Sequence, residues 1–219
     1  MSRDEGRGLA RVAQAFSRMV DAVRQDYDTQ CRFDAKYGSR PDETPSLTGD
    51  LAKRVGFQLS AAYRVMRFFD DAGVPLAPKV MSRLIRHLYG SDIHWKADIE
   101  PGVMLIHGMG LAISRAARVG RGAALFHNVT LGMGTHPETR ESGAPTIEAD
   151  VHVGPGAVIV GPVTIGARSK VMANCVVTRS VPPDSLVEAP TPGVKGRHAP
   201  SPPTGQAPGP RDAGPGRSS

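Results

Sequence analysis

The sequence is poor in aromatic residues and in cysteine, and it lacks any long apolar run. Aromatics make up 5% of the 219 residues, so a core has to be built mainly from aliphatic side chains. Two widely separated cysteines, Cys31 and Cys175, exclude a disulfide framework and favour a reducing, cytoplasmic setting. There is no apolar run of about 18 residues and no apolar signal region at the N-terminus, so neither a membrane span nor export is expected.

Basic residues are in excess but are not clustered. The formal net charge is +6, yet the lysines and arginines are scattered and are not interleaved with aromatic residues. A nucleic-acid-binding face would concentrate both on one surface. We therefore expect no nucleic-acid partner and interpret the charge as solvated surface, which would also suit a phosphorylated cofactor.

The chain divides into three zones that differ in composition and in the spacing of apolar residues. Residues 1–90 show helical spacing of apolar residues, with Thr48 or Asp50 as a candidate N-cap and Gly90 as a candidate C-cap. Residues 91–190 carry a repeat. Residues 191–219 are rich in Pro, Gly and Ser, and we predict that this tail is disordered.

The repeat is a spacing of six between aliphatic residues. It runs in three groups: Ile93, Ile99, Leu105; then Ile113, Val119, Leu125, Leu131; then Ile147, Val153, Ile159, Ile165, Val171, Val177. Neither an amphipathic helix nor a strand meander has this period, whereas a triangular coil has one hexapeptide on each side. The sequence therefore predicts a parallel β-helix whose core is the stacked column of these aliphatic residues.

The period breaks twice. The step from Leu105 to Ile113 is eight, so two extra residues bulge out in the stretch that contains His107. The step from Leu131 to Ile147 is sixteen, so a longer loop leaves the coil there. Insertions at the corners of solenoids often carry the binding face. These two breaks are thus the best site candidates that the pattern offers.

Three stretches of the repeat zone resemble serine acetyltransferases. They are DIHWKADIEPGVMLIHGMGLAI, LFHNVTLGMG and the run from TIEADVHVG to VPPDSLVEAP. The resemblance implies a left-handed parallel β-helix, preceded by a small α-helical segment, that assembles as a homotrimer or a dimer of trimers. It also implies that the protein transfers acetyl from acetyl-CoA to serine, that it takes part in cysteine biosynthesis, and that it needs no metal ion.

The resemblance assigns the catalytic roles. His107 matches the family's catalytic histidine, and a histidine suits a general base because its ordinary pKa is about 6.5. Asp92 matches the aspartate that orients this imidazole. Neither cysteine lies near these motifs, so the hydroxyl is expected to attack the thioester directly, without a covalent acyl-enzyme.

The resemblance also marks positions for the two substrates. Acetyl-CoA is expected to bind at Gly132, Gly134, Lys170, Ala173 and Asn174. Positions that contact serine in the family are changed here to Ile106, Gly143 and Ala144. Their charge-assisted contacts would each contribute about 1.5–3 kcal/mol, so free serine is expected to bind weakly unless other residues replace them. His127, His136 and Arg140 are the candidates for substrate binding.

Three alternatives stay open at this point. One is an O- or N-acetyltransferase that acts on a sugar or a specialised metabolite. Another is a zinc carbonic-anhydrase-like enzyme, for which His107, His127, His136 and His152 are the histidines at hand, although no H-x4-H pair lies in the repeat. The last is a non-catalytic β-helix.

Overall fold

The aliphatic positions spaced by six lie on the strands of a solenoid. A computed structural model describes residues 3–37, 45–136 and 138–189 of the chain. Its strands, numbered in chain order, wind around three faces. Face A holds β1 (Asp92–Ile93), β4 (Ala112–Ile113), β7 (Thr130–Gly132), β12 (Val158–Val160) and β15 (Val176–Val177). Face B holds β2 (Asp98–Ile99), β5 (Arg118–Val119), β10 (Thr146–Ile147) and β13 (Thr164–Ile165). Face C holds β3 (Met104–Ile106), β6 (Ala124–Phe126), β11 (His152–Val153), β14 (Lys170–Val171) and β16 (Leu186–Val187).

Neighbouring strands on each face pair in parallel, and their register places aliphatic residues opposite aliphatic residues. Ile93 lies opposite Ile113 on face A, and Leu105 lies opposite Leu125 on face C. All the aliphatic residues of the sixfold pattern are buried. Each contributes roughly 1.5–3 kcal/mol through burial of its apolar surface. The predicted solenoid is confirmed. The left-handedness of the coil stays a prediction from the resemblance.

The corners of the solenoid use the left-handed backbone region. Asn128 and Asn174 have φ values of +57° and +59°, a conformation that asparagine tolerates better than most residues. A Cβ atom built on Gly110 would lie 1.9 Å from Oδ1 of Asn128, and one on Gly156 would lie 2.3 Å from Oδ1 of Asn174. Each asparagine therefore fills the space that a glycine leaves on the coil before it.

In the part of the chain that the structure describes, four helices precede the solenoid: α1 (Arg3–Tyr37), α2 (Leu47–Lys53), α3 (Val55–Ala72) and α4 (Leu76–Tyr89). The predicted C-cap Gly90 is confirmed, with φ of +62°. The predicted N-cap of the second helix is wrong. Ser46 caps α2 by accepting from the Gly49 amide, because its extended backbone leads directly into the first helical turn.

A buried ion pair docks the helices on the first coil. The Asp26 carboxylate on α1 accepts from the Arg64 guanidinium on α3, with 2.9 Å between Oδ2 and Nε, and also from Ser60 Oγ. Asp26 Oδ1 accepts from the Gly102 amide at 2.8 Å. Arg64 donates in turn to the Ile99 carbonyl at 2.6 Å. This network ties two helices to the backbone of the solenoid, with every partner hydrogen-bonded.

Two of the helices, α3 and α4, share one hydrophobic core with the strands. Leu59 and Met66 of α3 pack in the same buried cluster as the aliphatic column. The division into a helical segment at 1–90 and a β-helix domain at 91–190 remains a prediction, and the tail predicted to be disordered, 191–219, lies outside the described residues. Within the described ranges, no helix is both long and apolar enough to cross a membrane.

Candidate active site

His107 lies at the corner where the chain passes from face C to face A. It follows β3 directly, and it adopts a left-handed backbone with φ of +62°. Its side chain is exposed. Residues other than glycine in this region are uncommon, and they persist only where the surroundings hold them in place. The two-residue bulge predicted from the spacing is therefore present, and it presents an imidazole on the outside of the coil.

Ser91 stabilises the bulge through two hydrogen bonds of its side chain. Its side chain is fully buried, and its Oγ donates to the Gly108 carbonyl at 2.8 Å while it accepts from the Leu111 amide at 3.2 Å. The Gly110 amide donates to the Tyr89 carbonyl at 3.4 Å. The extra residues thus keep their backbone hydrogen bonds although they leave the strand ladder.

The first turn of α3 holds the bulge from the side. A Cβ atom on Gly56 would lie 1.9 Å from the Leu105 carbonyl oxygen, and one on Gly108 would lie 2.9 Å from Gly56 Cα. Only glycine allows such close contact between the two backbones. Gly56 therefore fixes how closely the helix approaches His107.

A second imidazole lies one coil along the same corner. The ring centroids of His107 and His127 are 5.6 Å apart, in an edge-to-face arrangement. His127 Nδ1 is buried and has no hydrogen-bond partner among the described residues. Of the residues predicted for substrate binding, His127 is the one that the chain places beside His107.

The predicted partner of His107 is engaged elsewhere. Asp92 Oδ1 accepts from Arg86 Nη2 at 2.8 Å, and both side chains are about half exposed. Among the described residues, no hydrogen bond joins Asp92 to His107. The orienting role of Asp92 stays a prediction.

The second break in the repeat forms a hairpin at a different corner. Its strands β8 (Gly134–Thr135) and β9 (Ser142–Gly143) pair antiparallel, where the chain passes from face A to face B. His136 Nδ1 accepts from the amides of Glu138 and Thr139, both at 3.2 Å, so this imidazole holds the hairpin turn. Arg140 in the same turn is exposed, with φ of +61°. A single chain does not bring His136 or Arg140 to the corner of His107.

The positions predicted for acetyl-CoA lie in three places. Gly132 and Gly134 lie by the hairpin, where a Cβ on Gly134 would lie 2.4 Å from Val160 Cγ1. Ala173 and Asn174 lie on the same column of corners as His107. Lys170 is exposed on face C, paired in register with His152. Their assignment to acetyl-CoA stays a prediction.

The histidines weighed for zinc do not form one cluster. His107 and His127 are neighbours, whereas His136 lies at the hairpin corner and His152 lies on face C. Within the part of the chain that the structure describes, no group of three or more His, Cys, Asp or Glu side chains could hold a metal ion.

Sequence reasoning missed two residues that build the site. Ser91 gives no signal, because a serine before a strand is ordinary. Gly56 does give one, since an isolated glycine inside a helical pattern often marks close packing. Its partner could not be identified without the fold, because Gly56 and Leu105 are far apart in sequence.

Comparison with known proteins agrees with this architecture. The family described as bacterial transferase hexapeptide (six repeats) matches residues 144–179. The serine acetyltransferase of Synechococcus elongatus is 36% identical over 142 residues, which cover 65% of this chain and 56% of that protein.

Solved structures of serine acetyltransferases share the fold, among them the following two. Serine acetyltransferase isoform 3 from Entamoeba histolytica, in complex with cysteine, matches with a TM-score of 0.69 and 26% identity over 86% of this chain and 65% of that one. The Neisseria gonorrhoeae serine acetyltransferase, in complex with serine, matches with a TM-score of 0.67 and 26% identity over 81% of this chain and 71% of that one.

The chain spans little more than half the length of its Synechococcus relative. Within that span, sequence similarity and fold agree. Over that span the chain is similar to serine acetyltransferases, and residues 144–179 match the hexapeptide-repeat transferase family.

Proposed function

We propose that the protein is an acetyl-CoA-dependent O-acetyltransferase in which His107 is the general base. The observation that carries the proposal is the placement of His107. It is an exposed imidazole in a left-handed conformation on a bulge that Ser91 and Gly56 hold in place. Curated relatives over this region are serine acetyltransferases. Fixed geometry around a basic group is what acyl transfer to a hydroxyl requires.

The reaction needs one base and no covalent intermediate on the protein. His107 takes the proton of the acceptor hydroxyl as the oxygen attacks the thioester carbonyl of acetyl-CoA. The carbon–sulfur bond then breaks, and the protonated imidazole returns the proton to the sulfur of CoA. Neither cysteine lies in the motif that carries His107, and Cys175 is buried.

Asp92 would orient and stabilise the protonated imidazole. In this single chain its carboxylate is bound to Arg86, and both side chains are about half exposed. Exposed ion pairs of this kind contribute at most about 1 kcal/mol. The pairing with Arg86 is therefore weak enough to be exchanged for a histidine when the acceptor binds.

We infer a homotrimer from the two corners. His107, Ala173 and Asn174 lie on one edge of the solenoid, whereas Gly132, Gly134, His136 and Arg140 lie on another. A site that uses both sets needs two chains, and threefold packing of the solenoids supplies such a site at each of three interfaces. Acetyl-CoA would then lie between neighbouring chains, with Lys170 available to a phosphate as a point charge.

The acceptor supplies the hydroxyl that His107 would deprotonate. The N. gonorrhoeae relative binds serine, which makes serine the first candidate. Ile106, Gly143 and Ala144 favour a different hydroxyl acceptor, because none of them offers a charge to an amino acid. We place the activity in the cytoplasm, where acetyl-CoA is available and where free cysteines such as Cys31 and Cys175 stay reduced.

The test is release of free CoA from acetyl-CoA over a panel of hydroxyl acceptors. His107→Asn is the informative variant, because asparagine tolerates the left-handed backbone and the bulge should keep its shape. We expect a loss of at least about 10²-fold in kcat, within the usual range for general base catalysis. His87→Ala, an exposed histidine on α4, is the control and should keep full activity. Near wild-type turnover by His107→Asn would exclude this mechanism.

A further inference from the structure

A cavity opens beside His107, between the helices and face C. Its volume is about 630 Å³. Its floor is formed by outward-facing residues of β3 and β6, and its roof by the end of α1 and the start of α3. A ligand in this cavity would lie against the imidazole that the proposed function makes the base.

The floor of the cavity carries two apolar side chains that point away from the core of the solenoid. Leu105 and Leu125 point into the core, so Ile106 and Phe126, which follow them, point outward. The register places Ile106 directly opposite Phe126. Both are only partly buried, because the helices do not cover them fully. They lie immediately before His107 and His127.

The roof adds aromatic and aliphatic surface. Phe33 comes from α1, and Val55 and Phe57 come from the first turn of α3. Apolar walls of this extent, with a few polar groups at one side, are typical of pockets for ligands that have an apolar body. Free serine carries too little apolar surface to use them.

The charges in the cavity do not favour an ammonium group. Its one lining carboxylate, on Asp34, is paired with the Arg54 guanidinium at 2.9 Å, and the two side chains are 12% and 28% exposed. Lys53 adds a second cation to the lining. A positively charged group placed here would meet Lys53 and an Asp34 carboxylate that Arg54 already neutralises, and Arg54 is also paired with Asp50 at 3.6 Å.

We propose that the acceptor is a hydroxyl compound with a sizeable apolar portion and no free ammonium group next to the hydroxyl, such as an N-acylated hydroxy amino acid. This inference rests on the proposed function, because it names the substrate class of the same site. Ile106 and Phe126 would select it through contact with its apolar portion. Hydrophobic contacts in a binding pocket discriminate by about 10–200-fold for each methylene group.

The test compares three probes in the CoA-release assay: L-serine, N-acetyl-L-serine and N-benzoyl-L-serine. The second removes the ammonium group, and the third adds an aromatic ring as well. We expect kcat/KM to rise from the first probe to the third, by at least about tenfold overall. Calorimetry should show the same order of affinities without depending on turnover.

Ile106→Asp is the variant that should reverse the preference. It places a carboxylate beside His107, so kcat/KM should rise for L-serine and fall for N-benzoyl-L-serine. The matched control is Leu186→Asp, which adds the same charge at an outward, exposed position on face C far along the solenoid. Leu186→Asp should leave the order of the three probes unchanged.

The outcomes separate the two proposals. L-serine turned over as well as N-benzoyl-L-serine or better, with His107→Asn inactive, overturns the acceptor inference and leaves the acetyltransferase in place. An unchanged order of probes in a folded Ile106→Asp variant also overturns it. Turnover that is indifferent to His107, or no CoA release and no probe binding at all, overturns the proposed function itself.

Discussion

Gly56 and His107 show how a site is set by single residues. A left-handed backbone at a residue other than glycine costs of order 1–3 kcal/mol, so the fold around His107 has to impose it. Ser91 contributes two hydrogen bonds to that task, and Gly56 contributes backbone contact.

Gly56→Ala should disturb this arrangement. The added methyl group would lie 1.9 Å from the Leu105 carbonyl, so the start of α3 has to move away from the bulge. We expect a fall in kcat of at least about tenfold, from a misplaced base, together with a lower urea midpoint. Gly8→Ala is the control, since no atom lies within 4 Å of its added Cβ and alanine favours a helix. Equal activity in the two variants would contradict the positioning role of Gly56.

At the scale of elements, the helices are held on the solenoid by the buried pair of Asp26 and Arg64. Arg64 is 5% exposed and Asp26 is 2% exposed, so neither charge can be solvated if its partner is lost. Removing one partner of such a pair typically costs 3–5 kcal/mol. The pair fixes α1 and α3 on the first coil, and these two helices line the roof of the cavity beside His107.

Asp26→Asn should therefore lower the free energy of unfolding by several kcal/mol, of order 3–5. Asp184→Asn provides the same chemical change at an exposed pair with Arg168, and asparagine suits its φ of +58°. That control should unfold at nearly the wild-type urea concentration. Similar midpoints for the two variants would show that the buried pair does not hold the helices.

His152 on β11 makes stability depend on pH. Burial lowers its pKa below the ordinary value of 6.5, and the positive charges of Lys170 and Lys36 lower it further, against a smaller opposite effect of Asp150. The unfolded chain binds this proton more readily than the folded one, so its contribution to stability is complete above about pH 6.5 and is lost as the pH falls toward the lower pKa.

Melting temperatures measured from pH 7.5 down to pH 5 should show this effect. His152→Gln should make the decline with falling pH less steep. A decline remains, because burial and Arg115 also lower the pKa of His94. His87→Gln, on the exposed face of α4, should melt with the wild-type slope. A wild-type slope in His152→Gln would contradict the assignment.

At the scale of the whole molecule, the proposed trimer combines two edges of the solenoid that one chain keeps apart. Co-expression of two defective chains tests it. His107→Asn lacks the base, and Arg140→Gly lacks the hairpin cation while keeping a residue that accepts φ of +61°. Each alone should be impaired, whereas mixed oligomers should recover activity at sites that take His107 from one chain and Arg140 from the next.

Mixed oligomers, once isolated through two affinity tags, should have three times the 23.2 kDa mass of the chain. Activity no greater than the average of the two parents would show that each site lies within one chain. A fully active Arg140→Gly homo-oligomer would remove Arg140 from the site.

Much of the fold could be predicted because its core is a local pattern. Each aliphatic residue of the sixfold series packs on the residue one coil away. The regular spacing in the sequence therefore corresponds to a regular stack of side chains in the core. The same logic predicted the bulge at His107 and the hairpin loop. Gly90 as a C-cap was predictable too, since a helix end is decided by its own residues.

The solenoid, its two breaks and the histidine at the first break were predictable, because all of these depend on residues close together in the chain. The pairing of Asp26 with Arg64, the contact of Gly56 with Leu105 and the neutralisation of Asp34 in the cavity are visible only in the folded chain. These contacts join residues far apart in sequence, whose meeting depends on how the helices pack against the coil. No local sequence pattern therefore predicts these contacts.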